Sequence, residues 1–199
     1  KERATSVSQE FLNFIPELRE LLRLDAEAIY EGDPASVSET EIILSYPGFQ
    51  AILVHRVAHF LYKKNIPLIP RLMTEIVHSD TGIDIHPGAS IGHHFFIDHG
   101  TGIVVGETAV IGNHVKLYQG VTLGAFSVSK LENTGKRHPT LKDYVTVYAG
   151  STILGGKTVI GERCVVGGNV WLTESLEPST KIYLSPEFKQ SFKKHQSKK

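Results

Sequence analysis

A sixteen-residue stretch, IDHGTGIVVGETAVIG at 97–112, combines side chains that could do chemistry with a composition unusual for a strand or a helix. It contains four glycines, two acidic residues and one histidine, His99, which directly follows Asp98. An imidazole titrates near neutral pH, so it can accept a proton from a substrate, and it can also bind a metal ion. A histidine here could equally be an ordinary solvated side chain. Its context must decide whether it is a base, a metal ligand or neither.

Elements with two different periods must position these residues, and the change falls near residue 80. Before it, apolar residues recur at helical spacing, as in Leu18 and Leu22, which predicts three or four short helices. Pro34, YPG at 46–48 and NIP at 65–67 are predicted to separate them, because proline removes a donor and disfavours helix in the preceding residue.

From Ile85 onward an aliphatic residue recurs every six positions, and glycine follows seven of these residues. This is the hexapeptide repeat of a parallel β-helix, in which each six residues form one side of a three-sided coil and the aliphatic side chain points inward. Glycine is expected to allow the backbone conformation of each corner. The repeating residues are Ile85, Ile91, Ile97, Val105, Ile111, Leu117, Leu123, Leu154, Ile160, Val166 and Leu172.

The repeat is interrupted twice. Two extra residues enter within 97–112, and the segment 124–140 has no hexapeptide fit and is rich in Ser, Asn, Lys and Gly. The second interruption is predicted to be a loop that leaves the coil. The chain is therefore predicted to be α+β, with a helical domain at 1–80, a β-helix at 81–175 and a C-terminal tail at 176–199.

Composition narrows the functional classes. The 21 basic residues balance the 21 acidic ones, which gives no indication of binding to nucleic acid or to a membrane surface. There is one cysteine, Cys164, and the start of the chain lacks the apolar core of a signal peptide, so the cytosol is the expected compartment. No apolar run approaches the ~18 to 20 residues that span a bilayer.

Several motifs together resemble the serine O-acetyltransferases, hexapeptide-repeat enzymes that catalyse the first step of cysteine synthesis from serine. The motifs are DIHPGASIG, IDHGTGIVVGETAVIG, VTLG and RHP, with EGDPA upstream, and the likeness covers roughly residues 20–172. The resemblance implies a helical domain followed by a left-handed β-helix, and transfer of an acetyl group from acetyl-CoA to the serine hydroxyl.

The resemblance also implies the main catalytic roles. His99 of the DH pair would be the general base that takes the serine proton, an effect worth about 10²- to 10⁴-fold, and Asp84 of DIHP would orient it. Arg137 of RHP would bind the serine carboxylate through two parallel donors. His138 would contact the hydroxyl as a second imidazole.

Three acidic residues remain to be placed. By resemblance, Asp98 and Asp33 lie near the substrate ammonium and hydroxyl. Asp33 belongs to GDP, which is also a common turn after a helix, so a purely structural role stays open. Glu107 in VGETA receives no role.

The resemblance extends to cofactor and assembly. Coenzyme A is expected to lie along the coil, close to Ala149, Gly150 and Gly167, and no metal is expected. We expect at least a homotrimer, since the family's active sites lie between adjacent coils, and a dimer of trimers stays open. After Leu172 the chain lacks the GVPA turn and the C-terminal isoleucine with which family members dock into cysteine synthase, so we expect that complex to be absent or formed differently.

Three alternatives stay open. Another hexapeptide acyltransferase, acting on a sugar or an antibiotic, would keep a base histidine but would not need paired acids and Arg137. A metal-dependent trimer similar to γ-carbonic anhydrase would use His94 and His99 with a third imidazole from a neighbouring subunit. A scaffold that only oligomerises would need none of the polar residues.

Overall fold

The structure, a computed structural model, describes residues 2–126 and 135–185 and begins with four helices. They are α1 (Glu2–Gly32), α2 (Glu39–Ser45), α3 (Pro47–Lys63) and α4 (Ile69–Thr81). The first is one continuous helix of 31 residues with Pro16 inside it, rather than the short helix that the sequence predicts.

The helices are separated where the prolines predict. Pro34 follows α1, and Pro47 is the first residue of α3, where its missing N–H removes no helical hydrogen bond. Ser38 caps the start of α2 and accepts a hydrogen bond from the backbone N–H of Glu41 at 3.1 Å. This contact satisfies one of the free donors at the helix start.

The remaining described chain is a coil of short parallel strands in three sheets. Sheet 1 contains β1 (Asp84–Ile85), β4 (Val104–Val105), β7 (Thr122–Gly124), β10 (Thr152–Leu154) and β13 (Trp171–Leu172). Sheet 2 contains β2 (Ser90–Ile91), β5 (Val110–Ile111), β8 (Thr140–Leu141) and β11 (Val159–Ile160). Sheet 3 contains β3 (Phe96–Asp98), β6 (Lys116–Tyr118), β9 (Thr146–Val147), β12 (Val165–Val166) and β14 (Lys181–Ile182).

Aliphatic side chains fill the interior of this coil, as the six-residue period predicts. Ile97 and Leu117 are neighbours on successive turns and are almost fully buried. The inward residue of β10 is Ile153, which pairs with Leu123, and not Leu154 as predicted. The extra residue is accommodated at the following corner, where Gly155 has a φ of 102°.

Except at Gly155, the glycine that follows the repeating aliphatic residue serves these corners in a different way from the one expected. The glycine after the aliphatic residue is needed because the next turn lies close: a Cβ on Gly92 or on Gly112 would overlap atoms of the turn below. The left-handed conformation falls two residues later and is adopted by residues such as His94 and His114, with φ of 54° and 55°. Their side chains therefore project from the corners.

Two boundaries differ from the predicted ones. The coil continues past residue 175, because β14 pairs with β12. The loop between β7 and β8 spans residues 125–139, of which 127–134 lie outside the described residues. The end of the predicted tail, 186–199, also lies outside them.

A buried ion pair holds the helices to the coil. Arg56 of α3 donates to both carboxylate oxygens of Asp25 in α1, at 2.5 and 2.8 Å, and also to the backbone oxygen of Gly92 at 2.8 Å. Asp25 in turn accepts from the backbone N–H of Phe95 at 2.9 Å. Within the described parts of the chain, no helix is long and apolar enough to cross a membrane.

Candidate active site

Three columns of corner residues connect the sheets and carry most of the polar side chains. The His99 corner joins sheet 3 to sheet 1 and consists of residues 99–103, 119–121, 148–151 and 167–170. The His94 corner joins sheet 2 to sheet 3 and consists of residues 92–95, 112–115, 142–145 and 161–164. The His138 corner joins sheet 1 to sheet 2 and contains residues 86–89, 106–109, 135–139 and 155–158.

A cleft of about 290 Å³ opens at the His99 corner, between the coil and the start of α3. It is lined by Asp33, Tyr46, Asp98 and His99, together with small and apolar residues. The His99 side chain is 68% exposed, and its Nδ1 lies 3.6 Å from Asp98 Oδ1, too far for a hydrogen bond. The imidazole is therefore free to meet a ligand in the cleft.

Asp33 combines the two roles that the sequence left open. Its Oδ1 accepts from the backbone N–H of Ala35 at 2.8 Å, as expected of a turn residue. Its Oδ2 faces the cleft and accepts from the Tyr46 hydroxyl at 2.8 Å. This hydrogen bond raises the pKa of Tyr46 to about 12, so Tyr46 is a neutral donor beside His99.

Asp84 and His99 do not lie in register on neighbouring turns, the arrangement that their spacing suggested. Asp84 pairs with Val104, so the first turn of the coil takes twenty residues. Asp84 stands at the start of that turn, and His99 stands in the corner that closes it. Among the described residues, no hydrogen bond joins the Asp84 carboxylate to the His99 imidazole. The orienting role of Asp84 therefore stays a prediction.

Arg137 lies at a different corner from His99 and is held by a carboxylate. Its guanidinium forms a short ion pair with Glu107, and the Tyr62 hydroxyl donates to the other Glu107 oxygen at 2.6 Å. The Tyr62 hydrogen bond is the main cause that lowers the pKa of Glu107, so this carboxylate stays ionised. Glu107, which received no role from sequence, thus positions Arg137.

His138 is buried and directly follows Arg137 in the loop between β7 and β8. The backbone N–H of Thr108 donates to His138 Nδ1 at 3.0 Å, so the neutral ring carries its proton on Nε2. Burial, then the charges of Arg137 and Lys136, lower the pKa of His138 to about 4. A neutral ring with Nε2–H can donate a hydrogen bond, but it is a weak base at neutral pH. Gly106 is required here, because a Cβ at that position would overlap the ring.

The predicted residues thus form two groups in one subunit. Asp33, Asp98 and His99 line the cleft at the His99 corner, whereas Arg137 and His138 lie at the His138 corner. Across residues 2–126 and 135–185, no hydrogen bond or ion pair connects the two groups.

The predicted cofactor positions lie below His99 on its own corner column. Ala149 and Gly150 belong to the third turn and Gly167 to the fourth. A Cβ added to Gly120 would lie 3.4 Å from the Gly150 Cα, an ordinary van der Waals contact. The column below His99 therefore contains a strip of small residues, with the larger Gln119 and Tyr148 beside it.

Three further histidines form a cluster that sequence reasoning missed. His93, His94 and His114 meet at the His94 corner, where each offers one ligand atom within 4.8 Å of the others. His94 lies on a different corner from His99, so the metal-binding pair considered from sequence is wrong for one subunit. The overlooked signal is that His114 follows His94 by twenty residues, the length of one coil turn in the Ile91 to Ile111 register.

Comparisons with known proteins agree on one family. Residues 1–53 match the family model described as serine acetyltransferase, N-terminal. The plasmid serine acetyltransferase of Synechococcus elongatus is 51% identical over 181 residues, which cover 88% of this chain and 56% of the relative. The chain spans only 49–58% of the length of this and three further curated relatives.

Solved structures show the same fold. Isoform 3 of serine acetyltransferase from Entamoeba histolytica, in complex with cysteine, is 44% identical and has a TM-score of 0.87, covering 97% of this chain and 67% of that chain. The Neisseria gonorrhoeae serine acetyltransferase, in complex with serine, is 33% identical with a TM-score of 0.82, covering 91% and 72%. The predicted fold, helices followed by a left-handed parallel β-helix, is confirmed.

Proposed function

Because the chain belongs to the serine acetyltransferase family, we propose that it transfers the acetyl group of acetyl-CoA to the hydroxyl of L-serine. The product, O-acetylserine, would supply cysteine biosynthesis. The relatives solved with serine and with cysteine support an amino acid as the ligand of this site.

The observation that carries the proposal is the cleft at the His99 corner. It brings an accessible imidazole and two carboxylates, Asp33 and Asp98, to the same cleft. An amino acid substrate brings an ammonium group, which the carboxylates attract, and a hydroxyl group, which the imidazole can deprotonate. A neutral sugar carries no ammonium group for the paired acids to attract, so the cleft favours an acceptor that bears an amine.

In the proposed reaction His99 takes the proton from the serine hydroxyl as the oxygen attacks the thioester carbonyl. The C–S bond then breaks, and the departing thiolate takes that proton back from the imidazolium, which gives O-acetylserine and free CoA. Asp98 and Asp33 hold the ammonium, and Asp84 orients His99. The pantetheine arm of CoA lies along the small residues of the His99 corner, including Ala149, Gly150 and Gly167.

We further propose a homotrimer, which would join the two groups of site residues. Arg137 would bind the serine carboxylate and His138 would donate Nε2–H to the substrate oxygen, both from the subunit beside the one that supplies His99. The separation of the two groups within one subunit supports this arrangement, since symmetric assemblies can complete a site across their interface.

Two inactive variants can test the shared site. His99→Asn and Arg137→Ala are co-expressed so that mixed trimers form. If each site combines residues from two subunits, random mixing restores about one quarter of the wild-type activity, because that share of the interfaces receives both intact residues. If each site lies within one subunit, co-expression restores none.

Release of free CoA thiol from acetyl-CoA tests the reaction itself. L-serine, homoserine, a simple sugar and no acceptor are compared on the purified protein. Saturable release with L-serine is expected. Release with the sugar alone would replace this proposal by a sugar acetyltransferase, and no release with any acceptor would favour a scaffold.

A further inference from the structure

The imidazoles of His93, His94 and His114 meet at the upper end of the His94 corner, away from the proposed active site. His93 Nδ1 lies 2.6 Å from His94 Nδ1, and the His114 ring stacks on the His94 ring at a centroid distance of 4.1 Å. All three side chains are partly buried. We propose that these three residues bind a divalent transition-metal ion of the class that includes Zn²⁺.

The distances allow a three-histidine site. Zn²⁺ binds imidazole nitrogen at about 2.0–2.1 Å, which places tetrahedral ligands roughly 3.3 Å apart. The nitrogens of His93 and His94 are already closer than that, and one nitrogen from each ring lies within 4.8 Å of the others. Side-chain rotations that shift the ring nitrogens by roughly 1–2 Å would therefore bring three ligands to one ion. Imidazole-rich sites favour Zn²⁺, Cu²⁺ and Ni²⁺ over Mg²⁺ and Ca²⁺, which prefer oxygen.

A carboxylate on α1 fits the outer part of such a site. The Nδ1 of His94 faces His93, and its Nε2 lies 4.0 Å from Glu27 Oε2. A metal-binding histidine commonly donates its other ring N–H to a carboxylate, which fixes the ring orientation. Glu27 is placed to accept this hydrogen bond, although it also pairs with Arg23 at 3.0 Å.

The surroundings of His114 suit a cation. The carboxylates of Asp143 and Glu31 act electrostatically on the His114 ring and supply negative charge near it. An imidazole binds a metal ion in its neutral form. Because Glu27 belongs to α1, an ion here would also tie the helical domain to the coil.

Metal titration of the untagged, chelator-treated full chain tests the site. Co²⁺ is the probe, followed by its visible absorption, and Zn²⁺ is measured by competition. Wild-type protein is expected to bind one equivalent per chain. His114→Asn is expected to weaken binding by at least about tenfold, since even loss of an outer partner costs about 10- to 100-fold. Asparagine tolerates the left-handed backbone at this position.

Two controls keep the result interpretable. His94→Asn is a second ligand variant, and His78→Asn removes a histidine on α4, outside the cluster. Zn²⁺ is also expected to raise the thermal midpoint of the wild type and of His78→Asn but not of His114→Asn, because a ligand bound only to the native state stabilises it. No binding by the wild type, or binding by both ligand variants as tight as that of the wild type, would overturn the proposal.

Discussion

The His99 corner and the His94 corner share one backbone but differ in the side chains that they carry. At the His94 corner, rings stack from turn to turn: His114 lies 4.1 Å from His94 and 4.6 Å from Tyr144, and Arg163 lies 4.4 Å above Tyr144. At the His99 corner, small residues such as Gly120, Ala149 and Gly150 stand on the turns below the histidine, beside the larger Gln119 and Tyr148. One corner is therefore a column of stacked rings, and the other keeps an open strip of small residues.

The two corners also differ in their attachment to the helices. Arg56 and Asp25 bind the backbone of residues 91–95, so the helical domain is fastened at the first turn of the His94 corner. The His99 side chain remains 68% exposed. This attachment of the helices therefore lies at a different corner from the cleft that contains His99.

The largest effect is expected from matched substitutions at the two corners. His99→Asn should lower the turnover of L-serine by about 10²- to 10⁴-fold, the usual contribution of a general base. Tyr144→Asn should leave turnover near wild type, although it stands at a similar left-handed position, with φ of 60° against 58°. Steady-state kinetics measures the turnover of both variants, and thermal unfolding checks that both are folded. Equal turnover in the two would remove His99 as the base.

Breaking the Arg56–Asp25 ion pair, which holds the helices to the coil, should lower the stability of the protein. Arg56→Met leaves the fully buried Asp25 carboxylate without its partner and should lower the free energy of unfolding by about 3–5 kcal/mol. Arg23→Met, which breaks exposed ion pairs on α1, should cost about 0–1 kcal/mol. Denaturant unfolding measures the free energy of unfolding of both variants. Similar losses of this free energy in the two variants would show that the buried pair does not secure the helices.

A large side chain in the strip of small residues at the His99 corner should weaken the binding of acetyl-CoA. Ala149→Trp should raise the KM for acetyl-CoA by about tenfold with a smaller change in kcat, the pattern of lost uniform binding. Lys142→Trp places the same side chain at the His94 corner and should leave this KM unchanged. A normal KM in Ala149→Trp would exclude the strip as the cofactor path.

The smallest effect is a pH dependence of stability that arises from His55 in α3. Burial lowers the pKa of His55 well below its usual value, and its Nδ1 is a buried atom with no hydrogen-bond partner among the described residues. The unfolded chain protonates this residue near pH 6.5 and the native state does not, so stability is lost as pH falls below about 6.5. His55→Leu should flatten the fall in thermal midpoint between pH 7.5 and 5.5, whereas His78→Leu should not. An unchanged slope in His55→Leu would contradict this origin.

Much of the fold follows from local pattern. An aliphatic residue every six positions is sufficient to predict the coil, because each turn repeats the same burial requirement. The pattern fails where the chain length of a turn changes: Ile153 replaces Leu154 inside the coil, and the first turn takes twenty residues. Both depend on how corners absorb extra residues, which a period cannot express.

The site is only partly readable from sequence for the same reason. Asp98 and His99 are adjacent in the chain, and family motifs indicate them. Tyr46 reaches Asp33 across thirteen residues, and Tyr62 reaches Glu107 across forty-five. These partners are set by how the helices pack on the coil, so no local motif contains them.

The Glu107 carboxylate joins three separate parts of the molecule. Tyr62 comes from α3, Glu107 from the second turn of the coil, and Arg137 from the loop between β7 and β8. The helical domain thus has a direct mechanical link to the arginine proposed to hold the substrate. Any displacement of α3 from the coil must change the hydrogen bonding of that arginine's only described carboxylate partner, so the attachment of the helices also sets the geometry of binding.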